Sequence, residues 1–425
     1  MNAPLRRGVC PGLSAPLPTG DGLLVRMRPL GGIALAAFDE LCALAAAHGN
    51  GIVEITARGS IQVRGLSPAS APRFAADVAA LGIAAEDGIP ILLNPLAGLA
   101  EEIVDLSGSA AVLRRVVAEQ GLAARLSPKI SVVLDGGGTP DVDVLTADVR
   151  LRAVRWQGDA VLQVGVGGDA ASAAPLGCVA VADGVEAAVR LLDVLARRGR
   201  SARARDIVMA EGAGPFHSTV AGFLLRDVTP RMQARCSDAL GVHDLRDGSL
   251  ADGVGLSFGH AEASSLHGLV QAAARAGASA LIPAPGRILI AVGLASAGAA
   301  PEFAAQAERL GFIARRDDPR RRVIACAGAP LCASGHIATR ALAPLIAEAI
   351  MPLRGEPVTM HLSGCAKGCA HPQNTALTIV GSPAGCELVA DGSSRDAPFA
   401  VVAIAELPAA IAKFARAEKR EARHV

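Results

Sequence analysis

The chain has 425 residues, 51% of them hydrophobic, with 2% aromatic residues and no tyrosine. That length allows two to four structural units, whose cores must be packed with Ala, Val, Leu and Ile. A net charge of +1, with acids and bases interspersed, argues against a nucleic-acid partner.

In chain order, the opening "MNAPLRRGVCPGLSAPLP" lacks the apolar core of a secretory signal. The first predicted strand is "GLLVRMRP", Gly22 to Pro29. A helix follows, with Phe38, Leu41, Cys42 and Ala45 on one apolar face at i, i+3, i+4, i+7 spacing, and it stops at "HGNG". Next, "GIVEITARGSIQVRGL" reads as two strands around a tight turn. From about residue 73 to 235 runs an α/β stretch containing the strand "KISVVLD", the loop "DGGGTPDVDVL", the strand "AVLQVGVGG" and a helix near Val185 to Arg197. The segment "VGVGGDAAS" is glycine-rich but is not G-x-G-x-x-G, and no acidic ribose partner is placed after it. It reads as a turn, not a nicotinamide-dinucleotide site.

After a loop around "RDGSLADG" the same local grammar returns. "DGVGLSFG" (Asp252 to Gly259) leads to a helix with Leu266, Leu269, Val270 and Ala273 on one face, which stops at Gly277. "ASALIPAPGRILIAVGL" then repeats the two strands, here around a Pro-Gly turn. Phe38 to Leu266 and Gly65 to Gly293 are both offset by 228 residues. So long a period indicates a duplicated domain, not a solenoid. Each copy reads as β-α-β-β, half of a ferredoxin-like sheet, and the two halves are expected to pair into one sheet. The expected fold is therefore α+β and duplicated: half-domains at 1–72 and 236–300, and α/β domains at 73–235 and 301–425. The charge-free apolar run after Arg287 is too short to cross a bilayer, so no membrane partner is expected. The basic tail "KFARAEKREARHV" reads as a solvated helix end.

Nine cysteines, an odd number in a long chain without a signal, do not form a disulfide framework, and a reducing cytoplasm is expected. Cys326 and Cys332, then Cys365 and Cys369, give C-x5-C, 32 residues, and C-x3-C. Each pair follows an apolar run, "RRVIA" or "VTMHL", and so sits on the loop leaving a strand. Four thiolates suit zinc or an iron–sulfur cluster. The wide spacings and the small residues around each cysteine favour the bulkier cluster, and burial as plain thiols is the bland alternative. Cys42, Cys178, Cys236 and Cys386 read as packing residues. Cys10 lies in a loop-like segment with no assigned role. His336, His361 and His371, near the cysteines, read as hydrogen-bonded loop residues.

The cysteine spacing on a duplicated scaffold resembles the sulfite and nitrite reductase hemoprotein superfamily, over nearly the whole chain. "ITARGSIQVRGL" is similar to that group's strand-turn-strand with its arginine, here Arg58. "LSPKISVVLD" is similar to the strand carrying its active-site lysines, and "HLSGCAKGCAHP" to its second cysteine pair. The resemblance implies a 4Fe–4S cluster on Cys326, Cys332, Cys365 and Cys369; in the reductases the last of these also bridges to siroheme iron. Within the superfamily, "RRGVCPGLSAPLPTGDGLLVRMRP", "NPLAGL" and "HLSGCAKGCAHPQ" resemble the precorrin-3B synthases of aerobic cobalamin biosynthesis. That implies a monooxygenase taking precorrin-3A and O2, with NADH as ultimate electron donor, to a product with a C20 hydroxyl and a γ-lactone. A mononuclear non-heme iron is implied as a further cofactor. With no dinucleotide site in the chain, electrons are expected through a separate NADH-linked reductase.

The chain departs from the reductase pattern twice. It keeps Lys129 but has Ser131 at the place of the second lysine, and Ile89-Pro90 where an arginine and asparagine are expected. A siroheme-dependent nitrite or sulfite reductase is the alternative reading. Siroheme and precorrin-3A are both methylated tetrapyrroles rich in carboxylates, so the substrate is expected where the reductases hold their cofactor. Arginine forks suit such carboxylates. Arg26, Arg28, Arg58 and Arg64 alternate with apolar residues at strand spacing, which predicts one basic face and one core face. Lys129 is the candidate catalytic residue, placed to orient a carboxylate or supply a proton.

Overall fold

The computed structural model describes residues 11–421 except 87, 227, 229–237 and 352–358, with side chains to 414. Cys10 and Cys236 therefore lie outside the described residues.

The first copy comprises β1 (Leu17–Thr19), β2 (Gly22–Met27), β3 (Ile33–Ala34), α1 (Leu35–His48), β4 (Ile52–Ile55), β5 (Ile61–Leu66) and α2 (Ser70–Ala80). Helix α1 buries Phe38, Leu41, Cys42 and Ala45, the stripe that the spacing predicts. The first α/β stretch adds β6 (Ile91–Leu93), α3 (Ser107–Glu119), α4 (Leu122–Arg125), β7 (Val132–Asp135), β8 (Ala147–Trp156), β9 (Asp159–Gly168) and β10 (Ala174–Ala180). Its helices α5 (Gly184–Arg198), α6 (Ala204–Glu211) and α7 (Gly214–Val220) follow. The predicted turn closes β9: Asp169 Oδ1 accepts from Ala171 N at 3.1 Å and Ser172 N at 2.9 Å.

The second copy comprises β11 (Gly241–Asp244), β12 (Leu250–Gly255), β13 (His260–Glu262), α8 (Ala263–Arg275), β14 (Ala280–Ala284), β15 (Ile288–Leu294) and α9 (Ala299–Arg309). Only part of "RDGSLADG" is a loop. Asp247 caps a tight turn through Ser249, and β12 begins at Leu250, because this segment is one leg of a β11–β12 hairpin. The last stretch holds β16 (Val323–Ala325), α10 (Thr339–Ala349), β17 (Met360–Ser363), β18 (Thr375–Ser382), β19 (Gly385–Gly392), β20 (Ala400–Val402) and α11 (Leu407–Glu421).

Among the described residues the strands form four five-stranded sheets, not the three expected if the halves shared one. The half-domain sheets run β1-β2-β5-β4-β13 and β11-β12-β15-β14-β3. Each copy lends the short strand before its helix to the other copy's sheet: His260–Glu262 pairs with Ile52–Glu54, and Ile33–Ala34 with Leu281 and Ala280. The helices then pack between two sheets instead of on one. A single buried cluster accordingly joins Val25, Phe38, Leu41, Val53 and Phe74 to Val254, Leu266, Leu269, Leu289 and Phe303.

The other two sheets share one topology. In β6-β7-β8-β9-β10 the first three strands are parallel and the last two antiparallel, and β16-β17-β18-β19-β20 repeats this. Parallel strands deliver their loops to one end of a sheet, so the loops after β6 and β7, and those after β16 and β17, are neighbours.

Candidate functional site

Cys326 is the first residue after β16, and Cys365 lies two residues after β17. The parallel pairing of these strands brings both cysteine loops to one sheet end. There the Gly364 N–H donates to Cys326 Sγ at 3.1 Å, and His336 N donates to Gly364 O at 2.8 Å. The loops approach so closely that a Cβ on Gly364 would stand 3.1 Å from Gly328 Cα and 3.3 Å from Gly335 Cα. A side chain here would force the two loops apart by a few tenths of an ångström. Lys367 Nζ donates to Ser334 Oγ at 2.7 Å, tying the loops again further out. Burial pushes the Cys326 thiol up, while N–H groups of Gly364 and Gly328 aimed at its sulfur draw it back down. Cys326, Cys332 and Cys365 are half-buried and Cys369 is exposed.

Among the described residues no three His, Cys, Asp or Glu side chains gather as tightly as one metal ion requires. A four-iron cluster spreads its ligands more widely, and loops of small residues with N–H groups turned toward sulfur fit such a group. The remaining described thiols, Cys42, Cys178 and Cys386, are buried in the cores, and burial beside Asp39 pushes Cys42 up to about 12.

His336 and His371 lie in loops as expected, but His361 does not. His361 sits within β17, fully buried, and neither ring nitrogen has a hydrogen-bond partner. Its ring meets that of His371 edge-on, with centroids 5.9 Å apart. Burial, with the charges of His371 and Arg287 nearby, pulls His361 down to about 4; burial and Arg287 also lower His371. Both imidazoles are therefore neutral at physiological pH. Nothing in the local sequence signals that Arg287, at the tip of the second hairpin, belongs to this cluster of groups.

The four predicted arginines separate. Val25, Met27, Val53, Ile55, Ile61 and Val63 face the shared core as expected. The opposite face is not purely basic, since it also carries Glu54 and Gln62, both buried. Arg26 Nε donates to Gln62 Oε1 at 2.9 Å. Arg64 is buried and donates to Asp21 and to Leu331 O. Arg28 donates to Glu86 Oε2 at 3.2 Å and Gly88 O at 2.7 Å. Arg58 crosses to the first α/β sheet, donating to Ser131 Oγ and Thr146 Oγ1, each at 3.1 Å. Arg28 and Arg58 line one cavity of about 120 Å³, together with Arg114, Glu86, Ser60 and Asn94. Sequence reasoning missed Arg114 because it lies in α3, far along the chain; Glu86 draws it in at 2.9 Å. Lys129 and Ser131 flank the fully buried Ile130, and Ser131, at the second lysine position, accepts from Arg58.

Residues 15–81 match the nitrite/sulfite reductase ferredoxin-like half domain. A precorrin-3B synthase from Sinorhizobium sp is 37% identical over 420 residues, spanning 97% of this chain and 89% of that protein. The chain belongs to the precorrin-3B synthase family. The structure of the Mycobacterium tuberculosis NirA protein superposes with a TM-score of 0.76 at 20% identity, over 94% of this chain and 83% of that one. That likeness shows that this family member shares the NirA fold. Among its described residues no helix is long and apolar enough to cross a membrane.

Proposed function

We propose that this chain is a precorrin-3B synthase: it uses O2 and two electrons from NADH to hydroxylate precorrin-3A at C20, with γ-lactone formation and release of water. The observation that carries the reading is the 37% identity to a precorrin-3B synthase across nearly the whole chain. In this reading Cys326, Cys332, Cys365 and Cys369 would hold a 4Fe–4S cluster, which would supply one-electron transfer from a separate NADH-linked reductase. The mononuclear non-heme iron that the resemblance implies has no ligand set among the described residues, where no three His, Cys, Asp or Glu side chains gather to hold a metal ion. The expected boundaries at 72 and 300 cut α2 and α9, whose Phe74 and Phe303 lie in the shared half-domain core, so we take those boundaries just after these helices, the third at 235, and the compartment as the cytoplasm.

The cavity beside Arg28, Arg58 and Arg114 is far too small for a macrocycle but takes one acetate or propionate arm. Three guanidinium groups against the single carboxylate of Glu86 leave it a positive field that favours such an arm. Lys129, two residues before the Ser131 that Arg58 grips, would meet a second carboxylate or hold a proton. Ser131 speaks against the reductase alternative: where a second lysine would polarise a small oxyanion, this chain has a neutral hydroxyl already bonded to Arg58.

Anaerobically purified protein should show broad iron–sulfur absorbance without siroheme bands, and should convert precorrin-3A only with both O2 and a competent electron donor. Siroheme bands, or no oxygen-dependent turnover, would sink the reading. Arg58→Ala should weaken precorrin-3A binding by about tenfold or more, the effect of losing one charge-assisted fork. Binding at wild-type affinity would remove Arg58 from the site.

A further inference from the structure

The geometry points to Arg64 and Asp21 as positioning residues that hold the Cys332 loop from outside its own sheet. This inference rests on the four-cysteine cluster proposed above and adds the part played by the first half-domain.

The loop from Cys326 to Ile337 joins β16 to α10 without a strand or helix of its own. Its internal order comes from a few backbone bonds, such as Cys332 N to Gly328 O at 2.7 Å and Gly335 N to Cys332 O at 2.8 Å. Its outer side rests on the turn between β1 and β2, more than 300 residues earlier in the chain. There the contact is backbone on backbone. A Cβ on Gly20 would stand 2.5 Å from Ala333 N, 2.7 Å from Pro330 O and 2.8 Å from Cys332 C. Beside it the Arg64 guanidinium donates to the carbonyl of Leu331, the residue before the ligand.

Arg64 is itself fixed. It donates to Asp21 Oδ1 at 3.0 Å and Oδ2 at 3.2 Å, a two-pronged pair. Asp21 is held in turn by Thr19 Oγ1 at 2.8 Å and Asn50 Nδ2 at 3.0 Å. Glu54 Oε1 lies 3.7 Å from Arg64 Nε and also accepts from Arg340 at the start of α10, the helix into which the loop runs. Arg64 is 5% exposed, so the bond to Leu331 O forms away from competing water. The first half-domain thus closes over the loop and fixes Cys332 through its neighbour's carbonyl. Groups that orient a metal ligand in this way commonly change affinity when removed.

The test compares wild type, Arg64→Met, Asp21→Asn and Cys332→Ala after anaerobic cluster reconstitution. Arg203→Met is the control, since its two-pronged pair with Asp148 lies in the first α/β sheet, away from the cysteines. Readouts are iron and sulfide per chain, the rate of iron loss to a chelator, and the EPR spectrum of the reduced cluster. Arg64→Met and Asp21→Asn should load a cluster, lose iron roughly tenfold faster than wild type and show a shifted EPR signal. Arg203→Met should match wild type. If Arg64→Met does not fold, the near-isosteric Asp21→Asn carries the test. Wild-type kinetics and spectrum in the Arg64 and Asp21 variants, or equal acceleration in Arg203→Met, overturn the inference while leaving the cluster intact. A wild-type chain that takes up no cluster, like Cys332→Ala, overturns the cluster reading and the inference with it.

Discussion

The two α/β sheets have the same strand order and direction but use their mouths in opposite ways. The registers Leu93↔Leu134 and Ala325↔Leu362 make Asn94 the counterpart of Cys326, and Gly136 the counterpart of Gly364. In the second sheet the Gly364 N–H points at the sulfur of Cys326 at 3.1 Å. In the first, the Gly136 N–H points at Asn94 Oδ1 at 2.6 Å. The backbone gesture is retained while its recipient changes from a thiol to an amide. Asn94 also donates to Asp135 Oδ1 and to the carbonyls of Gly137 and Pro140, and Asp135 lies within 3.7 Å of Arg150 and 3.5 Å of Arg152. The first mouth is filled by the protein's own polar groups, apart from the small arginine-lined cavity that Asn94 also borders. The second, lined by glycine, alanine and serine, leaves its polar capacity on sulfur. The same frame thus makes either an end filled by its own polar groups or a thiol-lined end, depending on the residues that follow two strands.

Removing the thiols should break this contrast most completely. Cys326→Ser and Cys365→Ala should each leave chains with little bound iron or sulfide and no visible cluster band, measured after anaerobic reconstitution. Full iron content in both would show that the second mouth is no cofactor site.

A second substitution works on the polar-filled end. Asn94→Ala removes the partner of the Gly136 N–H and of the Gly137 and Pro140 carbonyls in a site that is 2% exposed, while Asp135 Oδ1 keeps the Gly137 N–H. It should lower stability by about 2–4 kcal/mol in denaturant unfolding, with iron per chain unchanged. Lost iron with unchanged stability would reverse the assignment of the two ends.

A smaller effect separates the strands themselves. Val133 and His361 occupy matching positions, one residue before Leu134 and Leu362. His361 is held down to about 4, so below its unfolded value of 6.5 the unfolded chain binds a proton that the fold refuses. Wild type should therefore lose stability as pH falls from about 6.5 toward 4, by up to roughly 3 kcal/mol from this group. His361→Val, which writes the first sheet's residue into the second, should make that slope shallower in melting curves at pH 5 and pH 7.5, with His260, also held down to about 4 by burial, keeping part of it. An unchanged slope would place the acid sensitivity elsewhere.

The half-domains were legible in the sequence because their signals are local. The spacing of Phe38, Leu41, Cys42 and Ala45 gives a helix face, and its repetition 228 residues on gives the duplication. The cysteine loops were legible for the same reason, each following a short apolar run. The partners of the charged residues were not. Arg64 reads as one of four alike arginines until Leu331 is seen beside it, and the link between them spans 267 positions. His361 reads as a loop histidine because the strand that buries it is four residues long. Arg28 and Arg58, in contrast, do meet in one cavity, but Arg114 and Glu86 joined them without a motif to announce it. Periodicity reports which side of an element is buried, and it is silent on which distant charge lies opposite.

The exchanged strands carry a consequence for the protein's origin. A duplicated chain whose copies each complete the other's sheet has the form of a symmetric dimer in which a strand passed reciprocally between subunits, later joined end to end. Such an ancestor would have carried two identical mouths, related by the dimer axis. The present asymmetry of one polar-filled end and one thiol-lined end would then date from after the joining, when the two copies could change separately. It also means that neither copy retains a finished sheet of its own. Chains severed between the copies should stay unfolded or aggregate when expressed singly, and recover a soluble, cooperatively melting complex only when both pieces are made together.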